Sequence, residues 1–348
     1  WPPFKGEDSG YYAFLNRGKK SMSVNARSEE GKEILKKLIK DADVVCENFK
    51  VGNMERLGLG YNDLKEINPN IIYASISGYG ITGPNKDLPS YDLMIQAISG
   101  IMDMTGFADG LPTKIGPAAG DHLSGTYLAN AVCLALIHKA KTGEGQRIDI
   151  GILDVLYSVL NSATMVNSTT DISPTRIGNK SEFIAPSDTY KTVDGYVTIS
   201  INNDSAWIEF CNVIGKKELA NDPRFITNVD RVQNYDSALK DYIIEFIGAK
   251  SSIEIEKTLV SAGIACSKVL NIDEVITHPQ IIARNMIEKI DDKVIGEFEM
   301  PGIPIKLHGT PGTIESSAPI LGEDTEYYLK KVGYSDLEIS NYKNNKVI

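Results

Sequence analysis

Helix-type and strand-type patterns alternate along the first half of the chain. Apolar residues recur at helical spacing over residues 28–40, and a short apolar run follows at residues 43–46. A partly helical stretch at residues 54–67 then precedes a strong strand pattern at residues 71–77. This alternation is typical of parallel strands joined by helical crossovers. We therefore predict an α/β fold on a parallel sheet.

The rest of the chain predicts a second, smaller domain and a return to the first. Residues 121–142 form a long helix pattern that Gly143 ends, and residues 147–150 form another strand pattern. Asp194-Gly195 between two apolar runs predicts a β-hairpin over residues 190–201. We predict a large α/β domain at residues 1–186, a small α+β domain at residues 187–285, and a C-terminal return to the large domain at residues 286–348.

Composition excludes several classes of protein. The chain has 348 residues, of which 42% are hydrophobic and 24% charged, and its net charge is −10. That charge argues against a general affinity for nucleic acid, and no apolar run approaches the roughly 20 residues that a membrane span needs. The four cysteines lie far apart without CxxC or metal-ligand spacing, which favours reduced thiols, a cytoplasmic protein and no metal site.

Several short motifs occur in a fixed order over nearly the whole chain. They are ENFKVGNMERLGLGY at residues 47–61, NPNIIY at 68–73, SGYG at 77–80, TGP at 82–84, GPAAGD at 116–121, KTGEGQ at 141–146 and APILGE at 318–323. Together they resemble the class III coenzyme A transferase family, the CaiB/BaiF type that includes formyl-CoA transferase-like proteins. The resemblance implies a Rossmann-like large domain, a smaller α+β domain and an interlocked homodimer. Family members usually carry a further strand–helix–strand segment before the equivalent of Trp1, and we expect that segment to contribute to the sheet and the active site.

The resemblance places a carboxylate nucleophile at Asp121. Moving coenzyme A (CoA) from an acyl-CoA to a small carboxylic acid needs a group that opens a thioester and stores its acyl part. An aspartate has an ordinary pKa of about 3.9 and is ionised near neutral pH without a general base. A helix beginning at Asp121 would offer free N–H groups to an oxyanion, and Gly116, Gly120 and Gly125 would leave room for substrate. Without the resemblance, Asp121 reads more simply as a helix N-cap.

The same resemblance implies a binding site for CoA, which acts as a substrate rather than a permanently bound cofactor. Basic side chains suit its phosphates, by two-pronged hydrogen bonding for Arg and as point charges for Lys. The candidates for the phosphates are Arg17, Lys19 and Lys20. Further residues at cofactor-lining positions are Asn48, Phe49, Arg56 and Tyr91. His122 is expected to be structural, since neighbouring helix residues face different directions.

Three alternatives to transfer stay open. A 2-methylacyl-CoA racemase shares the fold but needs two acid–base groups. Racemase relatives carry a histidine ahead of the aspartate, whereas this chain has Tyr91 there, a poor base at neutral pH. An acyl-CoA hydrolase would use the same aspartate with water, and a non-catalytic fragment would only bind CoA.

The glycine pattern of residues 78–83 follows a strand, but no helix pattern follows at once, so a nicotinamide site is disfavoured.

Overall fold

The computed structural model describes residues 1–348 as a mixed α/β protein. Its ten strands are β1 (Phe4–Lys5), β2 (Asp8–Ser9), β3 (Val44–Glu47), β4 (Ile72–Ser77), β5 (Arg147–Gly151), β6 (Ser187–Lys191), β7 (Tyr196–Ser200), β8 (Ala265–Lys268), β9 (Ile287–Asp292) and β10 (Gly296–Pro301).

The strands are joined by helices that differ widely in length. These are α1 (Gly10–Asn16), α2 (Glu29–Ile39), α3 (Asn53–Arg56), α4 (Tyr61–Ile67), α5 (Asp92–Ile98), α6 (Ile101–Met104), α7 (Ala119–Thr142), α8 (Ile152–Ser158), α9 (Ser162–Thr169), α10 (Asp204–Val213), α11 (Asn228–Gln233), α12 (Lys240–Gly248), α13 (Ser252–Ser261), α14 (Ile272–Val275), α15 (Pro279–Ala283), α16 (Thr325–Lys331) and α17 (Asp336–Asn344). A 3-10 turn spans Lys217–Asn221, and a π-helical turn spans Tyr235–Leu239.

The chain divides into two compact units. The first comprises Trp1–Ile98, Pro117–Val159 and Val275–Ile348, and the second comprises Ser99–Gly116 and Leu160–Glu274. The domain ranges predicted from the sequence, a large domain at 1–186, a small domain at 187–285 and a return to the large domain at 286–348, stay a prediction.

A three-stranded parallel sheet forms the centre of the first unit. Its order is β3-β4-β5, so β4 pairs with both neighbours, with Val44 opposite Ile72 and Tyr73 opposite Arg147. Most of β4 is fully buried, as expected for a central strand with both faces covered. The sequence prediction of a parallel α/β sheet is confirmed. Because the strands are parallel, Glu47, Ser77 and Gly151 end at the same edge of the sheet.

Helix α7 is the longest element, with 24 residues. It packs against β4, β5, α5 and α8 in the first unit. Gly143 ends it in the left-handed conformation, at a φ of 80°, which a residue with a side chain rarely adopts. Near this end, Lys139 Nζ lies 3.0 Å from Asp43 Oδ1, just before β3. The C-terminal end was predicted correctly, whereas the N-terminal end lies at Ala119 rather than at Asp121.

The second unit contains an antiparallel sheet of order β6-β7-β8. The β6–β7 hairpin has Asp194-Gly195 at its turn, as predicted. Alternate residues of β7 are buried, with Val197 and Ile199 in the core and Thr198 exposed. Helices α10, α12 and α13 supply part of the remaining core, including Trp207, Phe210 and Leu259.

A fully buried arginine, Arg231, hydrogen-bonds three segments of the second unit. Arg231 Nε donates to the carbonyl of Ala185 at 2.8 Å, and its Nη1 donates to the carbonyl of Phe225 at 3.1 Å. Its Nη2 reaches Asp204 Oδ1 at 3.0 Å. The planar guanidinium therefore joins the loop before β6, the loop before α11 and the start of α10 through one side chain.

No helix of the protein is both long and apolar enough to cross a membrane. None of the four cysteines is in a disulfide, and Cys46 and Cys133 are exposed.

Candidate active site

Asp121 lies in the first turn of α7 and is exposed. The residue before it, Gly120, is buried against the neighbouring helices. A Cβ atom built on Gly120 would lie 3.0 Å from Asp92 Oδ1, 3.0 Å from Ile152 Cγ2 and 3.2 Å from Leu156 Cδ1. The first turn of α7 therefore sits directly on α5 and α8, at a distance closer than most Cβ atoms approach their neighbours.

The carboxylate of Asp92 occupies the N–H groups at the start of α7. Asp92 Oδ1 accepts from the Gly120 N–H at 2.8 Å and from the Asp121 N–H at 3.4 Å. The Ala119 N–H donates to Pro117 and the His122 N–H donates to Ala118. The expectation of free helix-end N–H groups for an oxyanion is therefore wrong, because residue 92 caps this helix from another element.

Electrostatics raise the pKa of Asp121 above its ordinary value. Partial burial of the carboxylate is the largest cause, and the negative charge of Asp92 is the second. The neighbouring His122 acts in the opposite direction and more weakly. A carboxylate with a raised pKa is more basic, and therefore more nucleophilic, than an ordinary aspartate.

Asn48 and Phe49 follow β3 at the carboxyl edge of the parallel sheet. Asn48 Nδ2 donates to the carbonyl of Ile76 at 2.7 Å, and the Phe49 N–H donates to Glu47 Oε2 at 2.7 Å. The Phe49 side chain is 56% exposed, so it is free to pack against a ligand. Burial raises the pKa of Glu47, which the Phe49 N–H partly offsets.

Arg56 lies on α3, directly after this loop, and hydrogen-bonds Asn53 through its guanidinium. The loop and α3 enclose a small recess with the end of β4 and with Arg147 at the start of β5. Glu47, Phe49, Glu55, Ser77 and Arg147 line this recess. Ser77 Oγ and Arg147 Nε are buried there without a hydrogen-bond partner.

Arg17, Lys19 and Lys20 lie at the end of α1 and in the turn after it. Arg17 stacks over the Phe14 ring and donates to the Phe14 carbonyl at 2.9 Å. Arg17 also lines a cavity of about 230 Å³ with Gly18 and residues 303 and 313–315. Lys19 donates to Asn16 Oδ1, and Lys20 Nζ lies 3.5 Å from Asp324 Oδ1. None of these contacts involves Asn48, Phe49, Arg56 or Tyr91.

Tyr91 directly precedes Asp92 and is 73% exposed. It therefore stands one residue from the carboxylate that caps α7. The glycine-rich turn after β4 continues as an irregular loop until α5 begins at Asp92. No helix begins at this turn, whereas a dinucleotide-binding fingerprint needs one whose N-terminus faces the pyrophosphate.

Sequence reasoning missed two residues of this region. Asp92 was passed over because its contact with Gly120 and Asp121 spans 28 and 29 residues, which no local pattern reveals. Glu47 belongs to the ENF motif, but only its hydrogen bond to the Phe49 N–H shows that it shapes the loop. Throughout residues 1–348, no group of three or more His, Cys, Asp or Glu side chains is arranged to hold a metal ion.

Known proteins resemble the chain over most of its length. It is 39% identical to the acetyl-CoA:oxalate CoA-transferase of Acetobacter aceti, over 88% of this chain and 78% of that protein. It is 35% identical to the succinate–glutarate CoA-transferase of Agrobacterium fabrum, over 95% of this chain and 84% of that protein. A CaiB/BaiF family protein from Brucella suis superposes with a TM-score of 0.82 at 37% identity, covering 93% and 84% of the two chains. The family model described as CoA-transferase family III matches residues 1–325, and the chain belongs to that family of enzymes.

Proposed function

We propose that the protein moves CoA from an acyl-CoA to a carboxylic acid, with Asp121 as the nucleophile. The observation that carries the proposal is the exposed carboxylate of Asp121 in the first turn of α7, with its backbone held by Asp92. Membership of the transferase family supports the reaction class.

The chemistry needs only the carboxylate and the thiol of CoA. Asp121 attacks the thioester carbonyl carbon, the C–S bond breaks, and CoA leaves as a thiolate while a mixed anhydride forms. The thiolate attacks the Asp121 carbonyl, the anhydride C–O bond breaks, and the donor acid leaves as a carboxylate. The acceptor carboxylate attacks the aspartyl-CoA carbonyl carbon, the C–S bond breaks, and a second mixed anhydride forms. The released thiolate attacks the acceptor's acyl carbon, the anhydride C–O bond breaks, and the new acyl-CoA leaves the Asp121 carboxylate free. Asp121 is regenerated without water or a net proton transfer.

Two groups of side chains are proposed to bind CoA. Arg17, Lys19 and Lys20 are cations suited to its phosphates. Asn48, Phe49, Arg56 and Tyr91 would contact the remainder, with the exposed ring of Phe49 available for packing on adenine or pantetheine. The activities named for these relatives favour short dicarboxylic acids such as oxalate, succinate or glutarate as donor or acceptor acids.

We further infer that two chains form an interlocked homodimer, as the family resemblance implies. Helix α7 supports this, because it exposes Tyr127, Leu134 and Ile137, of which Leu134 is 63% exposed. Large exposed apolar patches are characteristic of protein interfaces. Gel filtration with light scattering should give twice the mass of one chain, and a stable monomer would contradict the dimer.

Trapping with hydroxylamine tests the nucleophile. The protein is incubated with acetyl-, succinyl- and oxalyl-CoA plus hydroxylamine, and peptides are analysed by mass spectrometry. An aspartyl hydroxamate at Asp121, absent from Asp121→Asn, is expected. Asp63→Asn is the matched control, because Asp63 also lies in the first turn of a helix in the first unit. No adduct at Asp121 with any thioester, in protein that binds CoA, would overturn the assignment.

An oxygen-isotope experiment distinguishes transfer from hydrolysis and racemisation. With an acceptor acid labelled with ¹⁸O in its carboxylate, one labelled oxygen should enter Asp121. It should then leave in a donor acid whenever it is the oxygen that attacks in a later turnover. A hydrolase would take its label from water instead. A racemase would exchange an α-proton and leave every carboxylate oxygen in place.

A further inference from the structure

Asp92 makes three hydrogen bonds that converge on the start of α7. Its Oδ1 accepts from the N–H groups of Gly120 and Asp121, and its Oδ2 accepts from Gln96 Nε2 at 2.6 Å. Gln96 is fully buried, one turn further along α5. The side chain of Asp92 is therefore oriented from one side by Gln96 while it holds the backbone of Asp121 from the other.

The contact leaves little freedom to the first turn of α7. A Cβ atom on Gly120 would fit only tightly between Asp92 Oδ1 and the side chains of α8. The backbone of residue 121 is thus fixed by one hydrogen bond of its own and one of its neighbour. Hydrogen bonds to a charged acceptor are stronger than neutral ones and lose more when one partner is removed.

Asp92 acts on Asp121 through its negative charge as well as through its hydrogen bonds. Asp92 Oδ1 lies 3.4 Å from the backbone nitrogen of Asp121, which brings the two carboxylates into one neighbourhood, and like charges repel. This repulsion disfavours the ionised form of Asp121. Acylation turns the Asp121 carboxylate into a neutral anhydride or thioester and moves the negative charge onto the CoA thiolate. The repulsion is then relieved, so Asp92 favours the acylated forms of Asp121 over the free carboxylate.

We infer that Asp92 is a positioning residue for the transfer reaction, which both fixes the backbone of Asp121 and promotes its acylation through like-charge repulsion. The inference rests on the proposed role of Asp121 as the nucleophile. Asp92 itself touches no substrate atom in this scheme and acts only through Asp121.

Two variants separate the two actions. Asp92→Asn keeps an oxygen that accepts the two N–H groups but removes the charge, whereas Asp92→Ala removes both. Asp63→Ala serves as the matched control, because Asp63 Oδ2 likewise accepts a helix-end N–H, that of Gly60, at 3.0 Å. Each protein is assayed for the rate of hydroxamate formation at Asp121, for KM of acyl-CoA, and for amide hydrogen exchange in peptides covering residues 117–125.

The expected pattern differs between the variants. Asp92→Asn should slow trapping about tenfold, move the acid limb of its pH profile to lower pH, leave KM near wild type, and speed hydrogen exchange less than Asp92→Ala does. Asp92→Ala should slow trapping at least as much and also speed exchange at residues 120–121 about tenfold. Asp63→Ala should change none of these.

The outcomes that overturn the inference are distinct from those that overturn the function. Wild-type trapping rates and an unshifted acid limb in folded Asp92→Asn would refute the role of Asp92 while leaving Asp121 as the nucleophile. Absence of any adduct in the wild-type protein would refute both. If Asp92→Ala does not fold, Asp92→Asn alone decides, because it preserves the cap.

Discussion

Asn48 on the loop after β3 donates a 2.7 Å hydrogen bond to the backbone carbonyl of Ile76 near the end of β4. The side chain thus fixes the loop that carries Phe49 to the neighbouring strand of the sheet. Removing this bond should loosen the loop without disturbing the nucleophile.

Asn48→Ala should therefore raise KM for acyl-CoA about tenfold while kcat changes little, since one hydrogen bond is worth about 0.5–1.5 kcal/mol. Steady-state kinetics at saturating acceptor acid measure the split. Asn68→Ala is the matched control, because Asn68 Nδ2 also bonds backbone carbonyls, those of Ile39 and Ala42, but away from the loop. Equal changes of KM in both variants would contradict a specific role for Asn48.

The pH dependence of the reaction should reflect the raised pKa of Asp121. Only the ionised carboxylate attacks the thioester, so activity is lost as pH falls through that pKa. Because burial and Asp92 raise it, the loss should occur at a higher pH than for an ordinary aspartate. His122 lowers this pKa, so His122→Gln should move the acid limb of kcat/KM to still higher pH. If the acid limb of His122→Gln moved to lower pH instead, ionisation of Asp121 would not be the step that determines this limb.

Gly120→Ala should destabilise the first unit and impair trapping at Asp121. The added Cβ atom would meet Asp92 Oδ1 and Ile152 Cγ2 at 3.0 Å, and overpacking of this kind costs about 1–3 kcal/mol. Gly125→Ala, in the same helix, has nothing within 4 Å of its Cβ position. It should instead raise stability by up to about 1 kcal/mol through helix propensity. Thermal and denaturant unfolding should show a lower free energy of unfolding for Gly120→Ala and a higher one for Gly125→Ala than for the wild-type protein.

Arg17, Lys19 and Lys20, after α1, should bind the 3′-phosphate of CoA. Arg17→Gln with Lys20→Gln should weaken use of acyl-CoA but leave use of acyl-dephospho-CoA nearly unchanged, because the second substrate lacks the anion that these cations would bind. Comparing kcat/KM for the two substrates in wild type and variant gives the answer. Equal losses on both substrates would assign the cations to another part of the cofactor or to structure.

Arg231→Met should strongly destabilise the second unit. The fully buried guanidinium donates to the carbonyls of Ala185 and Phe225, and both would be left unsatisfied at a cost of about 1–3 kcal/mol each. Arg224→Met removes an arginine paired with Asp222 at the surface and should have little effect. Urea titration of both variants measures the difference, and comparable midpoints would contradict it.

The sequence was a good guide to elements whose signals are local. The helix at residues 28–40, the strand at residues 71–77 and the hairpin around Asp194-Gly195 follow from periodicity and turn chemistry, and the structure has α2, β4 and the β6–β7 hairpin there. The start of α7 was misjudged because Asp121 resembles an N-cap. The actual cap is Asp92, a residue distant along the chain.

The candidate site could be predicted only in part, because contacts between residues distant along the chain leave no local pattern in the sequence. Asp121, Asn48 and Phe49 come from motifs, but their neighbours come from tertiary contacts. The hydrogen bonds of Glu47 to Phe49 and of Asp92 to Gly120 depend on how the chain folds. Likewise, Arg231 gives no sign in the sequence that it is buried.

Helix α7 is held unequally at its two ends, by the Asp92 cap at its first turn and by a surface ion pair between Lys139 and the 77% exposed Asp43 near its last. A helix of 24 residues is about 36 Å long. Because surface ion pairs contribute little, substitutions near Lys139 should be tolerated. Variants with weakened transfer should therefore concentrate at the Asp92 end of the helix.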